Sequence, residues 1–251
     1  MQMVEQVLER GEIAALVTRV AGPANVGGKL LVHENGLVTG SLGDADLDTA
    51  AQAQAASFLA SLEETRLFNL SAFDSSLLFE RLQPPPRLVV CGAGHVGAAL
   101  AKLAAFAGYQ TTLLDDRAEF LQRTRFPEKQ IELVVAEDWT VAVRDAIGNG
   151  RGVSVAVVTR GHNEDEQCMQ AVVRATPDYV GLIGSKRRTS IVIDRLRDAG
   201  VPDEQLKKIH APIGLDIGAV SPEEVALAIL AEIVAHRRNA PGGSLSSWRR
   251  S

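Results

Sequence analysis

One short segment limits the fold more than any other. An apolar run over 87–91 passes directly into Gly92-Ala93-Gly94-His95-Val96-Gly97, and a helix-compatible stretch opens behind it. A GxGxxG pattern alone says little. Set between a strand and a helix, with the acid Asp115 closing the next apolar run about twenty residues on, it is the fingerprint of a dinucleotide-binding turn. Each glycine has its own physical reason. Gly92 permits the tight turn, Gly94 lets the backbone approach a pyrophosphate, and Gly97 lets the helix lie close on the strand. The helix start, His95 included, offers unpaired N–H groups to phosphate oxygens. Asp115 is placed to accept from a ribose hydroxyl. Gly92, Gly94, His95, Gly97 and Asp115 are therefore candidate cofactor-binding residues. The alternative is a fold of this type that has lost its ligand.

Downstream, the hydrophobic period switches repeatedly. Apolar runs at 87–91, 110–114, 131–136, 153–159 and 179–183 predict strands, and 96–107, 139–147, 164–175 and 186–199 predict helices. Strands apolar on both faces belong to a sheet covered on both sides, and strand–helix alternation means parallel connections. The expected class is α/β: a Rossmann-like doubly wound parallel sheet preceded by a small α+β domain. A last helix has a written start, with Ser221 as cap, Pro222 at the first position and Glu224 three residues after the cap. Its body, 225–235, is apolar except for Glu232, which predicts burial against the sheet or a second copy of the chain.

Gln83-Pro84-Pro85-Pro86 marks a boundary, because consecutive prolines continue neither a helix nor a central strand. The expected domains are 1–83 and 84–238, with a flexible tail over 239–251. Within 1–83 the patterns predict a helix at 3–10, strands at 13–20 and 28–33, a hairpin turn at Glu34-Asn35-Gly36, a returning strand at 37–41, a helix at 46–62 and a strand at 68–71.

Four further loops carry candidate chemistry. Arg117 either holds a phosphate or is a solvated surface residue. Thr159-Arg160-Gly161-His162 follows a strand at the end that faces the ligand crevice of a doubly wound sheet. That makes Thr159, Gly161 and His162 candidates, with a helix-capping histidine as the alternative reading. Gly184-Ser185 precedes Lys186-Arg187-Arg188 at a helix start, where cations oppose the helix dipole. A bound anion would resolve that conflict, and a solvated basic face is the plain alternative. Asp216, in a glycine-bearing loop, is either a cofactor contact or a turn former. Cys91 and Cys168 lie in unlike contexts with no CxxC spacing, which predicts two buried structural residues and neither a disulfide nor a zinc site.

The net charge of -5 gives no overall attraction to nucleic acid or an anionic membrane surface. No run of 18 apolar residues predicts a membrane span, and the first residues do not read as a secretion signal. Two cysteines fit a reducing compartment, and a cytoplasmic protein is expected.

The stretches CGAGHVGAALAKLAAFAGY, LLDDRAEF, RFPE, VVTRGHNEDE, YVGLIGSKRR and IHAPIGLDIGAVSPEEVALAILAEI together resemble the XdhC/CoxI family, accessory proteins of xanthine dehydrogenase and related molybdenum hydroxylases. They span nearly all of 87–236. The last is the most specific, and LVTRVAGPANVGGKLLVHENG resembles the family's first domain more faintly. The resemblance implies binding of the molybdenum cofactor, as molybdopterin or its dinucleotide form. It also implies protection of that cofactor during sulfuration and help in loading it into the apoenzyme. The implied partners are a molybdenum hydroxylase apoenzyme and a cysteine desulfurase, with a homodimer possible. There is one departure. Family members usually carry a glycine-rich turn ending in cysteine after the second hairpin strand, and here Gly40-Ser41-Leu42-Gly43-Asp44-Ala45-Asp46 has no thiol. A carboxylate does not carry sulfur, so the resemblance does not extend to direct sulfur handling at that turn.

The leading expectation is a cofactor chaperone and not a catalyst. The alternatives are an NAD(P)-dependent oxidoreductase and a nucleotide-sensing regulatory module. Neither Tyr109 nor Tyr179 is followed by Lys four residues on, so no Tyr-x-x-x-Lys hydride-transfer pair is present.

Overall fold

The computed structural model describes residues 4, 7, 12–61 and 63–246. The chain divides into two compact units, Met1–Pro84 and Pro85–Ser251. The helix expected over 3–10 lies, apart from Val4 and Val7, outside the described residues, as do the last five residues of the tail.

The first unit is an antiparallel sheet of five strands in the order β3-β2-β1-β5-β4. They are β1 (Ala14–Ala21), β2 (Lys29–His33), β3 (Val38–Ser41), β4 (Thr65–Leu70) and β5 (Ser75–Leu82). Helix α1 (Ala45–Ala60) lays Leu47, Ala51, Ala55 and Phe58 on one face of it. These pack with Ala15, Val17, Leu30, Val32, Leu77 and Phe79. Asn35-Gly36 forms the turn between β2 and β3, with Gly36 at φ +84°. The sequence reading has one strand after α1 where the structure has two. The chain reverses at a 3-10 turn, Ser71–Phe73, with Asp74 in the left-handed region at φ 44°. Strand β5 then runs between β1 and the edge strand β4, with Ser75, Leu77 and Phe79 inward.

The second unit is a parallel sheet of six strands in the order β11-β10-β9-β6-β7-β8. The strands are β6 (Arg87–Cys91), β7 (Gln110–Asp115), β8 (Ile131–Val135), β9 (Val153–Val157), β10 (Tyr179–Leu182) and β11 (Ile209–His210). The helices are α2 (His95–Phe106), α3 (Trp139–Ile147), α4 (His162–Ala175), α5 (Lys186–Asp198), α6 (Asp203–Leu206) and α7 (Pro222–Arg237). Two apolar layers sandwich the sheet, as its doubly apolar strands require. One joins α2 and α7 through Leu100, Ala101, Ala104, Ala226, Ile229 and Ile233. The other holds Val143, Ile147, Met169, Val172, Val192 and Leu196 from α3, α4 and α5.

Helix α7 begins with a complete capping box, the Ser221 hydroxyl accepting from the Glu224 amide and the Glu224 carboxylate accepting from the Ser221 amide. Its burial is one-sided. It lies on α2, whose alanines admit close approach, while Leu227 stays 51% exposed. The sequence pattern lacked α6 and the two-residue edge strand β11, which pairs with Val180 and Gly181.

Candidate functional site

Strand β6 lies between β7 and β9, and all three are parallel. This is the point where the strand order reverses, so the loops leaving β6 and β9 diverge and open a crevice. The glycine loop emerges there. Gly92 has φ +110°, and a Cβ on it would stand 2.7 Å from the Val158 carbonyl oxygen. A Cβ on Gly97 would collide with the Gly92 carbonyl oxygen. Both glycines are demanded by the chain's own packing. Gly94 is not, because a Cβ there meets nothing within 4 Å. Gly94 is also the N-cap of α2 and lends no side-chain cap, and the first helical turn has no acid. The amides of His95, Val96 and Gly97 precede the first intrahelical bond, from the Ala98 amide to the Gly94 carbonyl. They form an uncapped, electropositive helix end beside open space.

Asp115 closes β7, and its carboxylate is engaged within the protein. It is 1% exposed. Its Oδ2 accepts from the Ala93 amide at 2.7 Å and from Arg117 Nη2 at 3.0 Å. Its Oδ1 accepts from the Arg117 amide at 3.0 Å and from Arg117 Nε at 2.8 Å. Burial works to raise the Asp115 pKa. The Arg117 guanidinium and the Ala93 and Arg117 amides outweigh it and hold the carboxyl below its usual range. Asp115 thus fastens the glycine loop to the end of β7, and its acceptor directions are taken. Arg117 is neither a free phosphate hook nor a solvated residue, since it grips Asp115 and stacks over Phe120 at 3.8 Å.

At the end of β9, the buried Thr159 hydroxyl donates its proton to Asp165 Oδ1 at 2.5 Å, with the Gly161 carbonyl a longer competing acceptor at 3.1 Å. Asp165 is fully buried and also accepts from Arg188 Nε at 3.1 Å and from Arg188 Nη2. Burial pushes the Asp165 carboxyl upward against those donors. Gly161, not His162, caps α4, and His162 stands exposed as that helix's first residue. Arg160 reaches Asp116 with a two-pronged pair at 3.0 and 2.8 Å.

The basic helix start of α5 divides in two. Arg188 finds its anion in Asp165, which removes part of the dipole conflict. Lys186 and Arg187 are exposed and make no ion pair among the described residues. Gly184, at φ +147°, packs on the Arg188 stem, and Ser185 caps the helix by accepting from the Arg188 amide. Asp216 is exposed in the loop between β11 and α7.

Two groupings escaped the sequence reading. Glu232 Oε2 accepts from the Tyr179 hydroxyl at 2.5 Å and the Gly214 amide at 2.8 Å, and its Oε1 lies 3.3 Å from His210 Nδ1. The Tyr179 and His210 rings stack at 4.6 Å, and His236 meets Tyr179 edge-on at 5.1 Å. Burial works to raise the Glu232 pKa, but the His210, Tyr179 and Gly214 donors bring it down to about 2. This cluster ties the Gly214 loop and β11 to α7. The signal was Glu232, the lone acid in an apolar helix body. The second grouping is Cys91 and Cys168. They are buried neighbours in one core layer, despite their unlike sequence contexts. Burial, then the adjacent Cys91 thiol, pushes Cys168 well above the ordinary thiol range, so it stays protonated and unreactive. In the first unit, Asp44, in the turn after β3, caps α1 by accepting from the Asp46 and Leu47 amides. No group of three or more His, Cys, Asp or Glu among the described residues is arranged to hold a metal ion.

The family model described as the XdhC Rossmann domain matches residues 88–233, which include every candidate site residue named above. The model described as the XdhC and CoxI family matches residues 7–69. The chain is 36% identical over 158 residues to the Escherichia coli protein named Uncharacterized protein YqeB, covering 63% of this chain and 28% of that one. It is 28% identical over 172 residues to a Bacillus subtilis protein named as a probable subunit of xanthine dehydrogenase, covering 68% of this chain and 49% of that one. It is 25% identical over 185 residues to the molybdenum cofactor insertion chaperone PaoD of Escherichia coli, covering 73% and 49%. The chain thus spans less than half the length of these relatives. A crystal structure described as a xanthine dehydrogenase from Bacillus halodurans superposes with TM-score 0.71 at 20% identity. It covers all of this chain and 68% of that one, a likeness of fold. No helix among the described residues is long and apolar enough to cross a membrane.

Proposed function

Because this chain belongs to the XdhC and CoxI family, we propose that it is an accessory protein that binds the molybdenum cofactor, as molybdopterin or its dinucleotide form, and assists its maturation and insertion into a molybdenum hydroxylase apoenzyme. The observation that carries this reading is the empty Cβ position of Gly94 beside the uncapped start of α2. Gly92 and Gly97 are required by the fold. Gly94 is a glycine the fold does not need, and a phosphate on the helix amides is what its absent side chain would obstruct. Phosphate oxygens would be held by the amides of His95, Val96 and Gly97. His162 at the start of α4, Lys186 and Arg187 at the start of α5, and Asp216 in the loop after β11 would serve as further contacts. The cofactor supplies molybdenum and its dithiolene ligation; the chain supplies a charged cradle that keeps it out of bulk water.

The name of PaoD supports insertion as the role, and that of the Bacillus subtilis relative supports a xanthine dehydrogenase-type client. The engagement of Asp115 argues against an NAD(P) oxidoreductase, since a ribose diol finds no free acceptor there. A cysteine desulfurase enters as the sulfur source. Asp44 is a helix cap, and both thiols are buried in the other unit, so this chain is expected to hold cofactor without carrying sulfur.

The test is mass spectrometry of ligand released from denatured protein purified from a molybdenum-replete host. Pterin is expected with the parent and not with Gly94→Val. No pterin with either, or equal pterin with both, overturns the reading. In a reconstitution with cofactor, desulfurase and desulfo-hydroxylase, restored hydroxylase activity that persists after Cys91→Ala and Cys168→Ala would refute the expectation that a missing thiol matters.

A further inference from the structure

The loops on either side of the glycine loop are joined by a bond that the fold does not require. Asp116 follows the last residue of β7, and Arg160 lies three residues beyond the end of β9. Strand β6 runs between those two strands, and its end is the glycine loop. The Asp116–Arg160 pair therefore links the two loops that leave the strands flanking β6, one on each side of the glycine loop. Its geometry is fork to fork, Nη1 to Oδ1 at 3.0 Å and Nη2 to Oδ2 at 2.8 Å.

The arginines of these loops are not equivalent. Arg117 is anchored on Asp115, 2% exposed at its side chain, and Arg188 on Asp165, 0% exposed. Pulling either away would leave a buried carboxylate unpaired, a large penalty. Arg160 is 47% exposed, and its partners Asp116 and Glu164 lie at the surface, 31% and 21% exposed. If Arg160 leaves, Asp116 stays hydrated and keeps the Arg117 Nε at 3.8 Å. Exchange at Arg160 alone costs little. The planar fork that fits a carboxylate also fits two oxygens of a phosphate.

We propose that Arg160 takes the phosphate charge of the ligand at the glycine loop, and that Asp116 holds Arg160 until the ligand displaces it. The proposal rests on the glycine loop being the phosphate site. Asp116 is then a competitor for Arg160, and Glu164, at 3.4 Å from Arg160 Nη2, keeps the guanidinium at the start of α4 after Asp116 lets go. Selectivity falls on charge: with Asp115 engaged, the site reads phosphate before it reads ribose.

The experiment is calorimetric titration of the full chain with inorganic pyrophosphate, repeated with cytidine diphosphate. Arg160→Ala is expected to weaken binding roughly tenfold or more, the scale of a lost charge-assisted pair. Asp116→Asn is expected to tighten it about two- to fivefold, the scale of a released surface ion pair. The double variant should match Arg160→Ala, because freeing an absent arginine gains nothing. Arg160→Lys should fall between, keeping charge without the fork. A purely structural bridge would make Asp116→Asn and Arg160→Ala move binding the same way, and that result overturns the proposal. Unchanged affinity in Arg160→Ala, with binding lost in Gly94→Val, also overturns it while leaving the phosphate site standing. Undiminished binding in Gly94→Val, or none in the parent, removes the site itself and the proposal with it.

Discussion

Gly94 and Gly97 sit three residues apart at the start of α2 and answer to different demands. A Cβ at 97 runs into the Gly92 carbonyl oxygen, while a Cβ at 94 reaches open space. The same contrast runs through the acids and arginines around the crevice. Asp115–Arg117 and Asp165–Arg188 are inward-facing pairs that pin the loops leaving β7 and β9. Asp116–Arg160 lies at the surface, and Lys186 and Arg187 are exposed with no ion pair among the described residues. The lesson is that a binding fingerprint contains two kinds of residue. Some make the loop, and some the loop can be made without.

The sharpest way to break that comparison is Gly97→Ala. The added methyl must lift α2 off β6, and a loss of about 3 kcal/mol or more is expected in denaturant unfolding. A stable Gly97→Ala would erase the distinction. Asp115→Ala comes next. Removing the carboxylate orphans the Ala93 amide and frees Arg117, which is 29% exposed and partly recovers by turning to water. About 2–3 kcal/mol is expected, with unfolding rather than ligand preference as the main readout.

Glu232→Gln tests an inward pair away from the crevice. Its folded pKa is depressed from 4.5 to about 2, so its contribution is fully present above the unfolded value and lost as pH falls between the two. A cost of about 2 kcal/mol at neutral pH is expected, shrinking between about pH 5 and pH 2 as the parent loses the advantage. A gap independent of pH in parallel urea titrations would show that the charge of Glu232 is not what binds the Gly214 loop. The smallest effect belongs to Gly94→Ala. With φ −65° and ψ −170°, alanine fits, and a weaker cap is offset by reduced freedom in the unfolded chain. Stability should move by no more than about 0.5 kcal/mol, while pyrophosphate binding weakens clearly. A larger loss of stability would make Gly94 a residue of the fold after all.

Much of the second unit was legible because its signals are local. Apolar runs between glycine turns gave strands β6 to β10, and Ser221-Pro222 with Glu224 gave the start of α7. The first unit was harder. Strand β5 was lost because its boundary is Asp74 in the left-handed region, a conformation that acidic turn residues adopt without advertising it. β11 was missed because two residues carry no period at all. The candidate site was legible as a set of loops, since the ends of parallel strands converge wherever the strand order reverses.

Sequence by itself determined the alternation of elements, the parallel sheet, the glycine turn and the family likeness, because each rests on residue type at fixed spacing. Only the tertiary structure decided what each charged side chain is for. Asp115 and Asp116 are neighbours in the chain with the same chemistry. One turns inward under the glycine loop and is closed by four donors, and the other turns outward to meet Arg160. A strand's side chains alternate between its faces, and which face meets a guanidinium 44 residues away depends on the strands that pack beside it.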